Sequence, residues 1–200
     1  MSTHTEHSQQ RIDQILNAAT AVFARRGFHE ARMDDIVAES GLSKGALYWY
    51  FKSKDAIITA ILTNIFEREI ADLQPIIFDQ GSASERIMRF TRQSIQDIQG
   101  MMRLLPITYE FYALAFRNKK VRQTLRKYLR SYMEILLPVI QQGIQRGEFQ
   151  PVDARETAIA IGAIIEGTTL LWVFDQKTVE LENDIQTGVQ FILDGLRVQV

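Results

Sequence analysis

The sequence predicts an all-α protein with a small helix-turn-helix module followed by a larger helical bundle. Apolar residues recur at intervals of three and four along most of the chain, without a convincing alternating strand pattern. Residues 33–51 contain two short helical segments around a turn at Gly41, which is the spacing of a helix-turn-helix. The length of 200 residues allows one sizeable core, or one core with a small additional module.

Four helices are predicted in the N-terminal part, at about residues 10–26, 33–40, 44–51 and 54–73. Gly27 ends the first helix, and Ser43 and Ser53 are suitable N-caps for the third and fourth. We expect residues 1–9 to form a disordered tail. The N-terminal module is predicted to span residues 1–54.

Five more helices are predicted in the second module, residues 55–200, at about 83–99, 101–116, 119–146, 154–174 and 181–196. Ser82 and Glu85 have the spacing of a capping box, and Asp153 precedes the apolar eighth helix. Pro138 should kink or divide the seventh helix. The nine predicted helices account for most of the chain.

The composition is that of a soluble globular protein, with 46% hydrophobic residues, 24% charged residues and a net charge of −1. The sequence contains no cysteine, which excludes disulfides and cysteine-ligated zinc. The polar N-terminus MSTHTEHSQQR lacks the apolar core of a signal peptide, so we expect a cytoplasmic protein. Glu166 and two glycines interrupt the apolar run 157–174, which favours a helix buried in protein over a membrane span.

The segment GLSKGALYWYF, residues 41–51, ends in four consecutive aromatic residues. Four in a row cover every face of a helix, so some of them must point away from the core. Leu47 and Phe51 are four apart and face inward, which leaves the other three aromatics outside. Exposed aromatics beside lysines indicate a binding surface. A three-helix packing unit with surface aromatics is the alternative.

The chemistry of this segment suits DNA. In a helix-turn-helix, the second helix enters the major groove with its N-terminal residues at the base edges. Lys44 can donate to guanine, while the small side chains of Gly45 and Ala46 permit close approach. The outward tyrosine hydroxyls and tryptophan N–H can donate to phosphates. Lys54 begins the next helix, whose N-terminus also favours phosphate.

Residues 31–57, ARMDDIVAESGLSKGALYWYFKSKDAI, resemble the signature of the TetR family of bacterial transcriptional repressors. The resemblance implies a homodimer that reads a near-palindromic DNA operator, and a small-molecule effector in the C-terminal bundle that releases the DNA. The candidate DNA-binding residues are Arg32, Ser43, Lys44, Gly45, Ala46, Tyr48, Trp49, Tyr50 and Lys54. The resemblance implies that residues 1–54 form the DNA-binding domain and residues 55–200 the ligand-binding and dimerisation domain, although outside the signature the chain matches the family only in layout.

The signature also departs from the family pattern. Ala31 and Arg32 stand where the family often has Thr or Ser, so we expect the side-chain cap of the second helix to be lost. Arg32 can contact phosphate instead. Asp34 and Asp35 suit the helix dipole but would repel DNA if they faced it.

The C-terminal bundle is expected to hold the effector. Residues 101–132 are rich in methionine and aromatic residues, which often line apolar ligand sites. We therefore expect an apolar or aromatic effector, and either Glu110 or Glu166 would favour a positive charge on it. The candidate ligand-binding residues are Phe66, Met102, Tyr109, Glu110, Tyr112, Phe116, Tyr132, Glu166, Thr169 and Trp172. Plain core packing is the alternative for each.

The last two helices are the candidates for the dimer interface. The run 157–174 is too apolar to face water, and its small residues permit close helix approach. The last helix carries an apolar stripe that we expect to face the partner. The candidate interface residues are Ala158, Gly162, Ala163, Gly167, Leu181, Ile185, Val189, Ile192 and Leu196. The alternative is that both helices close the core of the monomer.

Catalysis is not expected, and neither is a cofactor or a metal site. The sequence has no Gly-rich phosphate loop and no nucleophile elbow, and its three histidines lie within the first 29 residues. The sequence predicts a ligand-responsive, sequence-specific DNA-binding transcriptional regulator, most simply a repressor. The alternatives are a constitutive DNA-binding protein without an effector and a helical-bundle enzyme that binds a small molecule.

Overall fold

The computed structural model describes residues 2–198, with the side chains of residues 6–102, 104–105 and 107–198. These residues form nine α-helices: α1 Ser2–Glu30, α2 Met33–Ser40, α3 Lys44–Tyr50, α4 Lys54–Leu73, α5 Ala83–Gly100, α6 Leu105–Ala115, α7 Lys119–Gln145, α8 Ala154–Phe174 and α9 Leu181–Leu196. Two short 3-10 helices lie at Gln74–Phe78 and Met102–Leu104. The predicted all-α fold is confirmed.

The described residues group into two compact units. The first contains residues 2–66 and 103–125, and the second contains residues 67–102 and 126–198. Residues 55–66 and 103–125 thus belong with the N-terminal helices in this grouping. The predicted functional division at residue 54 stays a prediction.

Side-chain caps fix several helix starts at the predicted places. The Ser43 hydroxyl accepts a hydrogen bond from the Ala46 N–H at 3.2 Å. Ser82 and Glu85 form the reciprocal capping box. The Glu85 N–H donates to the Ser82 hydroxyl at 3.1 Å, and the Ser82 N–H donates to the Glu85 carboxylate at 2.9 Å. The Asp153 carboxylate accepts from the first backbone N–H groups of α8. Each cap satisfies an N–H that has no partner inside the helix, which is why these boundaries are readable from sequence.

Two helices differ from the prediction. α1 begins at Ser2, so the expected disordered tail is helical from that residue onward, and its regular geometry breaks at Gly27 with φ 74° and ψ 161°. α7 continues through Pro138 as one helix, so the alternative that this residue divides the helix is wrong, while the predicted kink stays a prediction. Val139 and Ile140, directly after Pro138, are fully buried in the core of the second unit.

Each unit has its own core. In the first unit, α1, α2 and α3 pack around fully buried Ile15, Ile36 and Leu47. In the second unit, the core joins side chains of α5, α7, α8 and α9. Gly143 on α7 permits a close approach there, since a Cβ at that position would lie 2.5 Å from the Phe149 ring.

α8 is long and apolar enough to cross a membrane, judged by length and composition only. Within the chain, 28% of its most apolar window is buried. The prediction of a helix covered on most sides is therefore not met by this chain alone. The monomer core therefore does not account for the apolar face of α8. A helix that a second protein chain covers has the same apolar composition as a membrane span.

Candidate DNA-binding surface and effector region

The helix-turn-helix is formed by α2, a turn at Gly41 and α3. Gly41 has φ 67° and ψ 10°, a left-handed conformation that ends α2 and redirects the chain. The Gln14 side chain on α1 donates to the carbonyl of Ser40 at 2.7 Å and holds this turn. Because Ile36 and Leu47 are fully buried, one face of each short helix is fixed against α1.

The aromatic residues of the motif divide as predicted between core and surface. Phe51 is buried, whereas Trp49 is 70% exposed. Tyr48 and Tyr50 are half-buried, and the Tyr50 ring meets that of Trp49 edge to face at 4.6 Å between centroids. The exposed side of α3 therefore carries a supported aromatic surface with polar groups at its edges.

Acidic residues of α2 are neutralised by neighbouring cations. Asp34 pairs with Lys44 at 2.7 Å, and Asp35 pairs with Arg26 at 3.1 Å. The hydrogen bond to Asp34 raises the pKa of Lys44, which stays protonated. Exposed ion pairs contribute little to stability, so a DNA phosphate or base can replace Asp34 at small cost.

The lost side-chain cap of α2 is replaced from within the helix. Arg32 has no acceptor on its side chain, but its backbone N–H donates to the Asp35 carboxylate at 2.8 Å. The exposed Arg32 guanidinium remains outside this arrangement. Asp35 therefore faces the helix start and Arg26, which reduces the expected repulsion of DNA.

Three predicted DNA-contacting side chains border one open concavity. Arg32, Tyr48 and Lys54 line it together with residues 29–31 and 33–34, and its volume is about 480 Å³. Lys54 is partly engaged, because its ammonium donates to the carbonyls of Phe28 at 2.6 Å and His29 at 3.0 Å. A lysine ammonium has three donors, so a third hydrogen bond can still reach a phosphate.

Glu110 makes a contact that the sequence did not predict. Its carboxylate accepts a hydrogen bond from the backbone N–H of Phe28 at 3.0 Å, directly after the break at Gly27. Together with Lys54, it holds the backbone around Phe28 from two sides. This contact joins α6 to the end of α1, and the prediction that Glu110 lines the effector site stays a prediction.

We expect Glu110→Ala to destabilise the chain by about 1–3 kcal/mol, because the Phe28 N–H loses its partner in a partly buried place. Hydrogen exchange at the Phe28 amide should accelerate, as measured by NMR. Glu110→Gln is the matched control, since its amide oxygen can still accept and should retain most of the protection. Unchanged exchange in Glu110→Ala would show that the bond does not hold this segment.

The other predicted ligand-binding residues are divided between the two units. Residues 66, 109, 112 and 116 belong to the first unit, and residues 102, 132, 166, 169 and 172 belong to the second. Phe116 is 84% exposed, so it does not line an enclosed site within its unit. Thr169 is buried, and its hydroxyl donates to the Ile165 carbonyl in its own helix at 2.7 Å. These assignments stay predictions, and Tyr132 is the strongest of them.

The sequence reasoning missed Glu69. This carboxylate is buried on α4 in the same helical stripe as Leu62, Phe66 and Leu73. Burial, followed by neighbouring acidic groups, raises its pKa to about 7. The signal was present as a charged residue at a core position of an otherwise apolar stripe.

The predicted dimer stripe on α9 is wrong in its direction. Ala158 on α8 and the four α9 residues Leu181, Ile185, Val189 and Leu196 are buried in the core of their own unit, so they cannot face a partner. Ile192 also packs against that core. The alternative, that this stripe closes the monomer core, is therefore correct for these residues.

A different apolar face is exposed. Ala163 and Gly167 are exposed as the dimer hypothesis requires, while Gly162 lies against Tyr132. The large exposed apolar residues on α8 are Ile159, Leu170, Leu171 and Phe174, and α9 adds Phe191. We call these five residues with Ala163 and Gly167 the α8–α9 face. Its members on α8 recur mostly at intervals of three and four residues, and an exposed apolar stripe of this kind indicates an interaction surface.

No group of three or more His, Cys, Asp or Glu side chains suited to a metal ion occurs within the part of the chain described here. The N-terminal segment HTEH includes His4, whose side chain lies outside the described residues.

This fold and its α2–α3 surface define a helix-turn-helix transcriptional regulator. Residues 15–61 match the model of bacterial regulatory proteins of the tetR family, and residues 83–200 match the C-terminal region of BetI-type transcriptional repressors. The chain belongs to the TetR family. Members of this family and the neighbours described below are transcriptional regulators rather than enzymes.

Relatives span nearly the whole chain. YfiR of Bacillus subtilis, an uncharacterized HTH-type regulator, is 34% identical over 76% of this chain and 74% of its own. The fatty acid metabolism regulator of the same species is 25% identical over 92% of this chain and 94% of its own. The structure of FadR from Bacillus subtilis with stearoyl-CoA has a TM-score of 0.78 at 25% identity, covering 92% of this chain and 98% of FadR. The structure of a transcriptional regulator from Saccharomonospora viridis with choline shares the fold, with a TM-score of 0.83. Its sequence is 22% identical, and the match covers 96% of this chain and 100% of that one.

Proposed function

We propose that this protein is a dimeric cytoplasmic repressor that binds a near-palindromic operator and leaves it when a small-molecule effector binds. The α2–α3 surface is the observation that carries the DNA-binding part. It presents Lys44 at the start of the reading helix and Trp49 on its exposed side. Such a helix reads bases from its N-terminal residues and positions itself through phosphates.

Dimerisation is supported by the α8–α9 face. A monomer rarely exposes so many large apolar side chains together, and a two-fold interface covers the same patch on both chains. Ala163 and Gly167 would let two α8 helices approach closely. Two reading helices on one dimer would then contact half-sites about one helical turn apart.

An effector is supported by the relatives. FadR from Bacillus subtilis was solved with stearoyl-CoA, and the C-terminal match is to BetI-type repressors. The Glu110–Phe28 hydrogen bond offers a physical connection between α6 and the end of α1. A shift of α6 on effector binding would change the support of the DNA-binding helices.

The first experiment is selection of random DNA by the purified protein. Enrichment of a two-fold symmetric site would support the dimeric regulator and supply the probe for an effector screen. A failure to enrich any site at low salt, with the dimer verified, would contradict the DNA-binding proposal. A site that binds but responds to no compound class would favour the constitutive DNA-binding protein.

On the selected site, Tyr50→Ala and Lys44→Ala should behave differently. Tyr50→Ala should weaken binding to all sequences by about tenfold, because a phosphate contact carries no sequence information. Lys44→Ala should also relax the preference at one base pair, where about 1–3 kcal/mol of discrimination is lost. Fluorescence anisotropy against a panel of single-base variants separates the two effects.

Lys127→Ala is the control for these variants, since Lys127 is an exposed lysine on α7 paired with Glu67. Its affinity for DNA should match that of the wild type. If Tyr50→Ala bound DNA with the same affinity as the wild type, Tyr50 would not be a phosphate contact. If Lys44→Ala weakened binding to all DNA sequences equally, Lys44 would contact the DNA backbone and not the bases.

A further inference from the structure

Polar side chains from four helices meet in the second unit. Glu69 on α4 is hydrogen-bonded to the Tyr128 hydroxyl on α7, and the charges of Asp97 on α5 and Glu166 on α8 act on it. Tyr132 lies one turn after Tyr128, with 6.5 Å between the ring centroids, and is also within reach of the Glu166 charge. We call these five residues, together with Ser94, which precedes Asp97 by about one turn of α5, the acidic cluster.

Three polar atoms of the acidic cluster are hidden from solvent without a hydrogen-bond partner: Tyr132 Oη, Ser94 Oγ and Asp97 Oδ2. Ser94 and Tyr132 each keep only 8% of their surface exposed. The other carboxylate oxygen of Asp97, Oδ1, accepts a hydrogen bond from the Gln93 side chain at 3.0 Å, so one of the two carboxylate oxygens has a partner. Buried polar groups are normally paired, and leaving one unpaired costs about 1–3 kcal/mol.

The cluster carries an excess of carboxylates. Asp97 and Glu166 both act on Glu69, while Arg68 is the cation that acts on both Glu69 and Asp97. Burial raises the pKa of both Glu69 and Asp97, so the site resists holding all its negative charge alone. A positive ligand would relieve this cost, whereas an anion would increase it.

The unpaired atoms also indicate which kind of cation fits. A hydroxyl and a carboxylate oxygen can both accept hydrogen bonds from N–H donors. A protonated amine offers up to three such donors, whereas a quaternary ammonium offers none. The Tyr132 ring, packed edge to face on Phe90 at 4.7 Å, adds an aromatic surface beside these acceptors.

We propose that the acidic cluster binds the protonated amino group of an organic amine, with Glu69 and Asp97 supplying charge and Tyr132, Ser94 and Asp97 accepting its N–H groups. This inference rests on the proposed function, because it assigns the effector of the regulator to a chemical class. The remainder of the ligand would be apolar, in agreement with the surrounding bundle core.

The test compares three ligands of equal chain length: hexylamine, hexyltrimethylammonium and hexanoate, with butylamine and octylamine to vary the apolar part. Binding is measured by calorimetry on the full-length protein, independently of DNA. The primary amines should bind, the trimethylammonium compound should bind at least tenfold more weakly, and hexanoate should not bind. Equal or tighter binding of hexanoate would overturn the proposal.

Two variants locate the site. Glu69→Gln should weaken amine binding at least tenfold, while Glu134→Gln, at an exposed carboxylate on α7, should not change it. Tyr132→Phe removes only a hydroxyl without a partner, so the free protein should melt at the same or a higher temperature. Amine binding should nevertheless weaken. A purely structural role of Tyr132 would leave the affinity of the folded variant unchanged, and this result would contradict the proposal.

Binding should also depend on pH. Burial raises the pKa of Glu69 to about 7, with the Tyr128 hydrogen bond and Arg68 opposing this shift and Asp97 and Glu166 adding to it. An alkylamine remains protonated through this range, so its affinity should rise about tenfold from pH 6 to pH 8 as Glu69 ionises. Proton release on binding, measured in buffers of different ionisation enthalpy, should vanish in Glu69→Gln. Binding without proton release would overturn the role of Glu69.

Operator release is measured separately, so that the two proposals can fail independently. If amines bind at the cluster but leave DNA affinity unchanged, the amine site stands and the effector function fails. If hexanoate or a neutral compound releases the DNA and the amines do not bind, the regulator stands and the charge assignment is wrong. If none of the amines binds, the proposed amine site is wrong.

Discussion

Replacing Leu171 with aspartate is expected to give a folded monomer with at least a hundredfold lower affinity for the operator. Leu171 lies on the α8–α9 face and is 58% exposed in the single chain, so the substitution does not disturb the monomer core. In a two-fold interface, each substitution places two charges in an apolar contact. A monomer binds one half-site and loses the gain of linked binding, which is about 10²–10⁴ in affinity.

Leu129 on α7 provides a matched control, because this leucine is 57% exposed and lies outside the α8–α9 face. Leu129→Asp should remain dimeric and bind the operator as the wild type does. Oligomeric state is measured by analytical ultracentrifugation, and folding by circular dichroism. A dimeric Leu171→Asp with normal DNA binding would show that the α8–α9 face is not the interface, and a monomeric Leu129→Asp would place the interface at α7.

Arg86→Ala is expected to cost at least about 3 kcal/mol of unfolding free energy. Arg86 on α5 is almost fully buried, and its guanidinium donates to the carbonyls of Ile76 and Ile77 and to the Gln142 side chain. Truncation leaves three acceptors without their donor, at about 1–3 kcal/mol each before relaxation and water entry reduce the sum. The 3-10 helix Gln74–Phe78 would also lose its main tie to α5.

Urea unfolding followed by circular dichroism at one fixed protein concentration checks this prediction, since dimerisation makes stability concentration-dependent. Arg86→Lys should give an intermediate loss, because it keeps the charge but not the planar set of donors. Arg92→Ala, at an exposed position on the same helix, should change stability by about 0.5 kcal/mol or less. A loss for Arg86→Ala as small as that for Arg92→Ala would contradict the structural role of Arg86.

The capped helix starts and the end of α2 were predictable because local chemistry determines them. Ser43, Ser82 and Asp153 cap their helices through backbone groups two or three residues away. Gly41 ends α2 in the left-handed conformation that glycine adopts most easily. The orientation of Phe51 followed from its spacing to Leu47. None of these inferences required knowledge of distant parts of the chain.

The errors concern contacts that sequence spacing cannot define. The stripe on α9 correctly identified Leu181, Ile185 and Val189 as buried, but a stripe does not reveal whether the covering surface belongs to the same chain. The Phe28–Glu110 bond joins residues 82 positions apart, so its formation depends on tertiary structure. Arg86 was not identified because a buried arginine contradicts the usual preference for the surface.

The bond between Glu110 and Phe28 has a consequence for how this sequence can diverge. Glu110 recognises a backbone N–H, which every residue except proline supplies, so the hydrogen bond itself does not require a particular side chain at position 28. The acceptor, in contrast, must come from the side chain at position 110. Random substitution during evolution can therefore disconnect α6 from α1 much more easily at position 110 than at position 28.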